Sequence, residues 1–230
     1  MIGIIGAMEE EVTGLKENMT VEKTVKRASM EFLQGTLAGK PVVVVRCGIG
    51  KVNAAICTQI LADEFKVDAI VNTGIAGSLK NEINIGDIVL STDALQHDVD
   101  ATGFGYEYGV IPRMETSVFK ADEKLAALAK ECCERVNQDI SVFAGRVVSG
   151  DQFISDKEKK DWITEHFQGF CTEMEGAAIA QTAYLNGIPF LIVRAISDKA
   201  DNSAQMDYAE FERKAIEHSV KLMTEMVKHW

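Results

Sequence analysis

Strand-length runs that are apolar at every position constrain this chain most. Val42–Val45 and Phe190–Val193 carry no polar residue. A strand keeps that pattern when both faces of its sheet are covered, since a strand with one wet face alternates. Related runs, closed by Gly or by polar residues, lie at Ile2–Gly6, Val42–Gly48, Ala69–Gly74, Asp87–Thr92, Arg146–Asp151, Phe170–Glu175 and Phe190–Asp198. Helical spacing fills the gaps at Lys51–Glu64, Asp122–Val136, Gly176–Asn186 and roughly Tyr208–Lys228, where Asp207 and Glu210 read as a capping box. Strands alternating with helices predict an α/β sandwich with helices on both faces of the sheet. A hairpin over Thr36–Val45, turning at Ala38-Gly39-Lys40, would make the strand directions mixed. The 230 residues show no linker and no fixed-period repeat, so residues 1–230 read as one domain.

Composition removes several classes of function. The net charge of −11 leaves no basic footprint for nucleic acid. The N-terminus lacks a basic n-region, and no stretch approaches the roughly 20 apolar residues of a membrane span. Five cysteines, odd in number and spaced for neither a zinc site nor a disulfide framework, fit reduced thiols in a cytoplasm. The four histidines do not cluster, and Ser149 does not sit in a G-x-S-x-G elbow, so metal and serine hydrolysis have no support.

In a sheet of this kind a ligand binds beyond the carboxyl ends of the strands. The residues that close the runs therefore carry the chemistry. Glu9, Glu10 and Glu11 follow the first run; they suit the first turn of a helix, and one of them could instead act as a base toward water. Gly48-Ile-Gly-Lys-Val-Asn53 resembles a phosphate loop but lacks its spacing, which leaves a tight turn or the wall of a small-ligand site. Asn72-Thr-Gly-Ile-Ala-Gly77 is small enough to let backbone approach a ligand. Glu173 and Glu175 share a strand face. Glu173 reads equally well as a solvated acid at a helix start, whereas Glu175 directly precedes Gly176-Ala-Ala. Arg194 and Asp198 close the most apolar strand as a plain ion pair or, more sharply, as an acid whose pKa burial raises.

Taken in order, Ile2–Glu11, Cys47–Asn53, Asn72–Gly77, Gly103–Gly109, Val148–Ile154, Glu173–Glu175 and Arg194–Asp198 resemble the bacterial 5'-methylthioadenosine/S-adenosylhomocysteine nucleosidases of the purine nucleoside phosphorylase-like superfamily. The resemblance covers nearly the whole chain. It implies a three-layer α/β/α sandwich with a central twisted mixed sheet, a homodimer and no cofactor. It also implies roles. Glu11 would activate water, and Asp198, held by Ser197, would protonate N7 of adenine. Glu175 and Met174 would meet the ribose hydroxyls, with Glu173 beside them, and Arg194 would fix the water and Glu175. Phe153 would stack on the purine, whose edge the Ile154 backbone would bond, and Gly77 would admit the ligand closely. Met8, Ile49 and Tyr208 would line the 5'-alkylthio pocket, reached by Phe104 and Pro112 of a partner subunit. Two positions depart from the family pattern: Tyr208 stands where Phe is frequent, and Ile75 where some members carry Ser.

Such a set suits N-glycoside cleavage. A protonated acid at N7 answers the poor leaving group, and carboxylates near the sugar answer its developing positive charge. Only seven arginines and an acid-rich rim argue for water over phosphate as nucleophile. Three other readings stand beside this one: a phosphorylase of the same superfamily, a nucleosidase for aminodeoxyfutalosine or 5'-deoxyadenosine, and a non-catalytic nucleoside-binding domain.

Overall fold

The computed structural model describes residues 1–201 and 204–230, except for the side chains of 205–210. The chain forms β1 (Ile2–Gly6), α1 (Glu9–Asn18), β2 (Met19–Arg27), β3 (Met30–Leu37), β4 (Lys40–Arg46), α2 (Lys51–Ile60), β5 (Ala69–Ser78), β6 (Ile88–Gln96), β7 (Phe119–Lys120), α3 (Glu123–Val136), β8 (Val142–Ser149), α4 (Lys157–Phe167), β9 (Cys171–Glu173), α5 (Gly176–Asn186), β10 (Phe190–Asp198) and α6 (Ala204–His229). Helix α2 runs on into a π-helical turn at Leu61–Phe65, ended by Lys66 in the left-handed region.

One ten-stranded sheet organises these elements in the order β10-β6-β8-β9-β5-β1-β4-β3-β2, with β7 beside β6. Because β10 also pairs with β5, five of the strands (β5, β10, β6, β8 and β9) close a ring, and the rest of the sheet extends from it through β1. Pairing is mixed: β1 lies parallel to β4 and β5, while β6 runs antiparallel to β10 and β9 antiparallel to β5. The expected hairpin is present as β3 and β4, with Ala38 and Gly39 at positive φ in the turn.

The unbroken apolar runs are explained by cover on both faces. Ile5, Val43, Val45, Ile70 and Ile192 pack with Ala54 and Cys57 of α2 and with Ala177, Ile179 and Ala183 of α5. Their chain neighbours Ile4, Val42, Val44, Val71, Leu191 and Val193 pack on the opposite face with Val12 and Leu15 of α1, Leu125 and Ala129 of α3, and Leu222, Met223 and Met226 of α6. This is the three-layer sandwich. Helix α4 seals the ring end, placing Ile163 and Phe167 against Leu95, Val148 and Ile154.

Several boundaries differ from the sequence expectation. Strand β5 continues to Ser78, past the small residues expected to end it, since Ile75 to Ser78 gain partners from β10 and β9. Strands β2 and β3 lengthen the sheet's edge. Strand β2 is exposed over most of its length and carries Glu22, Lys23, Lys26 and Arg27, the charged character that keeps an edge from pairing with other chains. Helix α6 begins at Ala204 rather than near Tyr208, and the side chains of Asp207, Glu210 and Tyr208 lie outside the described residues. All five cysteines are free and buried. No helix is long and apolar enough to cross a membrane among the described residues.

Phe32 of β3 is fully buried and stacks on Phe65 with ring centroids 5.2 Å apart. Phe32→Ala is expected to lower unfolding stability by about 3–5 kcal/mol, measured by denaturant titration. Its activity below the transition should be kept, because the pair lies away from the cavity described next.

Candidate active site

A cavity of about 490 Å³ opens where β1, β5, β9 and β10 end. Its wall combines apolar side chains (Met8, Ile49, Ile75, Phe153 and Met174) with four carboxyl groups, Glu11, Glu173, Glu175 and Asp198. All four are buried, with no more than 8% of their surface exposed.

Helix geometry places Glu11. It is the third residue of α1, and its carboxylate turns back to the helix start, accepting the backbone N–H groups of Ala7 at 2.7 Å and Met8 at 3.0 Å. The other oxygen accepts the Ile75 N–H at 3.1 Å. Glu9 and Glu10, one turn position away, are exposed and answer the plain helix-start reading. Burial pushes the Glu11 carboxyl above its ordinary value, and Arg194 and the three backbone donors oppose that shift. Gly74 makes room: a Cβ there would lie 2.5 Å from Glu11 Oε1 and 3.0 Å from Arg194 Nη1.

Arg194 is 1% exposed. It donates to Glu173 and to the Asn72 side-chain oxygen, and through Nη1 to the Val193 carbonyl at 3.1 Å. Asn72 is fixed in turn by donating to the Ile5 carbonyl at 2.9 Å. The sequence reading put Arg194 on Glu175; the structure puts it on Glu173 instead. Glu173 is no solvated acid either. It also accepts the Ser149 hydroxyl and the Gly176 N–H at 2.8 Å. Burial alone would raise its pKa, but Arg194, Ser149 and Gly176 hold it below the usual carboxylate range.

Glu175 has no such cation to itself. Burial first, and then the Glu173 charge, push it up to about 8, against the lowering effect of the Gly50 N–H, which it accepts at 2.7 Å. Cys47 borders the same group; burial and the charges of Glu175 and Glu11 push its thiol up to about 12, which makes it a poor nucleophile.

Asp198 closes β10 at a bulge. Ile196 pairs with Ala76 and Asp198 with Gly77, which leaves Ser197 as the extra residue. Successive strand residues normally face opposite sides; here both line the cavity. The Ser197 hydroxyl donates to Asp198 Oδ2 at 2.8 Å, and the Ala200 N–H donates to Oδ1 at 2.7 Å. Gly77 lets the acid sit close, since a Cβ there would meet Asp198 Oδ1 at 2.7 Å.

Of the residues expected from sequence, Met8, Glu11, Ile49, Gly77, Phe153, Glu173, Met174, Glu175, Ser197 and Asp198 line this one cavity. Ile154 borders a small annex that shares Phe153 and Asp198. Arg194 stands directly behind the wall. Phe104, 87% exposed, and Pro112, also exposed, do not line it. Sequence reasoning missed the side chains of Asn72 and Ser149. A polar residue inside a run covered on both faces needs a buried partner, and that signal was available for both. No group of three or more His, Cys, Asp or Glu placed to hold a metal occurs among the described residues.

Residues 1–228 match the family model of the phosphorylase superfamily. A 5'-methylthioadenosine/S-adenosylhomocysteine nucleosidase of Exiguobacterium sp. is 44% identical over 99% of this chain and 97% of its own. The crystal structure of the nucleosidase of that name from Neisseria meningitidis, in complex with methylthio-immucillin-A, is 40% identical and covers 100% of this chain and 99% of its own at a TM-score of 0.94. Futalosine hydrolase of Helicobacter pylori is 34% identical, covering 100% and 97%, at a TM-score of 0.93.

The Glu175 shift has a measurable linkage. The group titrates near 4.5 when unfolded and at about 8 when folded. Its neutral form is therefore favoured by folding, and the associated stability is lost as pH rises between those values. Glu175→Gln, which stays neutral, is expected to match wild type near pH 4.5 and to gain on it by about 1.4 kcal/mol per pH unit up to pH 8. Thermal unfolding across that range checks it; a gap that does not change with pH would refute the shift.

Proposed function

We propose how this cavity works from one premise: the chain belongs to the phosphorylase superfamily and, within it, to the 5'-methylthioadenosine/S-adenosylhomocysteine nucleosidases. It hydrolyses the N-glycosidic bond of these two nucleosides, releasing adenine and the corresponding 5-thioribose. The observation that carries the division of labour is the unequal treatment of three carboxyls, Glu11, Glu173 and Glu175, around one arginine.

Asp198 is the acid that delivers a proton to N7 of the purine. Its two oxygens are oriented by Ser197 and Ala200, and its surroundings are dry. Phe153 supplies the apolar face for the base, and the Ile154 backbone its edge contact. Glu11 takes a proton from water. A base raised by burial but still steadied by Arg194 and three N–H groups lies nearer the working pH than an ordinary glutamate does. Glu175, with Met174, holds the ribose hydroxyls, and the carboxylates around the sugar favour its oxocarbenium-like transition state. Met8, Ile49 and Tyr208 receive the 5'-alkylthio group. No cofactor takes part.

A homodimer completes the site. Phe104 and Pro112 sit on the surface of their own chain, where Phe104 is 87% exposed and free to reach a neighbouring subunit. Delivered by a partner, they would close the alkylthio end. Five unpaired cysteines suit a cytoplasmic location. A second reading, hydrolysis of futalosine-type nucleosides by the same residues, is favoured by the likeness to the Helicobacter pylori futalosine hydrolase.

Adenine release from 5'-methylthioadenosine is expected in phosphate-free buffer, with free 5-methylthioribose as co-product. Release that requires phosphate and yields a sugar 1-phosphate would overturn the role of Glu11 and make the chain a phosphorylase. Parallel assays with aminodeoxyfutalosine measure the second reading. Asp198→Asn should lose about 10²–10⁴-fold in kcat with its unfolding temperature kept; near-wild-type turnover would remove Asp198 as the acid. Glu11→Gln should lose turnover while still binding substrate. Sedimentation at assay concentration should show an active dimer, and an active monomer would dispose of the partner's contribution.

A further inference from the structure

The lysine of the phosphate-loop-like motif has no role in the scheme above. Lys51 nonetheless belongs to a closed ring of hydrogen bonds. Its backbone N–H, the first of α2, donates to Asp151 Oδ1 at 2.8 Å. The Asp151 N–H donates to Asp98 Oδ2 at 2.9 Å. Asp98 Oδ1 receives the Lys51 ammonium at 2.6 Å, which closes the circuit. Lys51 also donates to the Gln96 side-chain oxygen at 2.9 Å, and Gln96 donates on to Gln181 of α5. The Lys51 and Asp98 side chains are only 19% and 15% exposed.

The ring joins three segments remote in sequence. Helix α2 is preceded by Gly50, which has no side chain to cap it and a φ of 98°. Asp151, a hundred residues away, provides the carboxylate at this helix start instead. One peptide further back, Ile49–Gly50 carries the Gly50 N–H, and that N–H donates to Glu175. On its other side the ring fixes Asp151, two residues before Phe153 in the cavity wall.

We propose that the Lys51–Asp98–Asp151 ring is a positioning device for the reaction: it aims the Gly50 N–H at Glu175 and holds the Phe153 loop in register with it. None of the three side chains lines the main cavity. They act through Glu175, which also faces Glu173, Glu11, Arg194 and the Cys47 thiol. The inference rests on the nucleosidase reading for its turnover assay, and its other readout needs no turnover.

Asp98→Ala opens the ring, and Asp98→Asn, which keeps one acceptor, is the variant safer to fold. Loss of one hydrogen bond to a charged group is expected to lower kcat/KM for adenine release by about 10–100-fold in Asp98→Ala, and by less in Asp98→Asn. The decisive readout is the sign of the Glu175 titration, followed as the unfolding-temperature gap between each variant and its E175Q double variant. Removing the negative charge of Asp98 would by itself lower the Glu175 pKa. Loss of the aimed N–H raises it, so the gap should go on growing above pH 8. A titration that stays or falls, together with kcat/KM within about threefold of wild type, would overturn the positioning role. A wild type that releases no adenine would sink the nucleosidase reading and leave the ring to be judged by the titration.

Discussion

The structure of the cavity depends on one buried guanidinium. Taking Arg194 out of water costs several kcal/mol unless its donors and charge are answered on the spot. They are answered by Glu173, by Asn72 and by a strand carbonyl. Once Glu173 is committed to that cation, Glu11 and Glu175 feel it only through space. The different states of Glu11 and Glu175 follow from this unequal distribution.

The sheet supplies the second constraint. Its ring of five strands brings the ends of β5, β9 and β10 within reach of the start of α1, so that groups from residues 11, 173, 175 and 198 line one cavity. Close approach is possible because the intervening positions are bare. At Gly74 and Gly77 a methyl group would stand where carboxylate oxygens are. Small residues in these strands therefore belong to the electrostatics of the site as much as to its packing.

The sequence disclosed the layers and most of the cavity wall. Ile2–Gly6 and Phe190–Asp198 matched strands residue for residue, because unbroken apolar runs have one good explanation in a covered sheet. Strand β2 escaped notice since an exposed edge strand has no buried face to leave a pattern. Glu11, Glu175 and Asp198 were legible as acids closing apolar runs. Their partners were not, because pairing across the sheet depends on three-dimensional neighbours. Arg194 stands nineteen positions from Glu175 and twenty-one from Glu173, and nothing in that spacing says which it binds. The Lys51 motif, read as a tight turn or a ligand wall, is both: Ile49 lines the cavity, and the anion that the Gly50 N–H meets is part of the protein.

The bulge in β10 has a consequence for how the acid is addressed. Strand β10 is buried at every position, so its register against β5 is locked by core packing on both faces. The single extra residue at Ser197 converts that lock into a fixed offset: one step beyond Ile196, the side-chain alternation is reset, and Asp198 arrives opposite Gly77. The acid's location is thus written as a residue count from the core. A substitution at Ser197 can loosen its hydroxyl contact, whereas an insertion or deletion within Phe190–Ile196 would move the carboxyl and turn the strand's two core faces over at the same stroke.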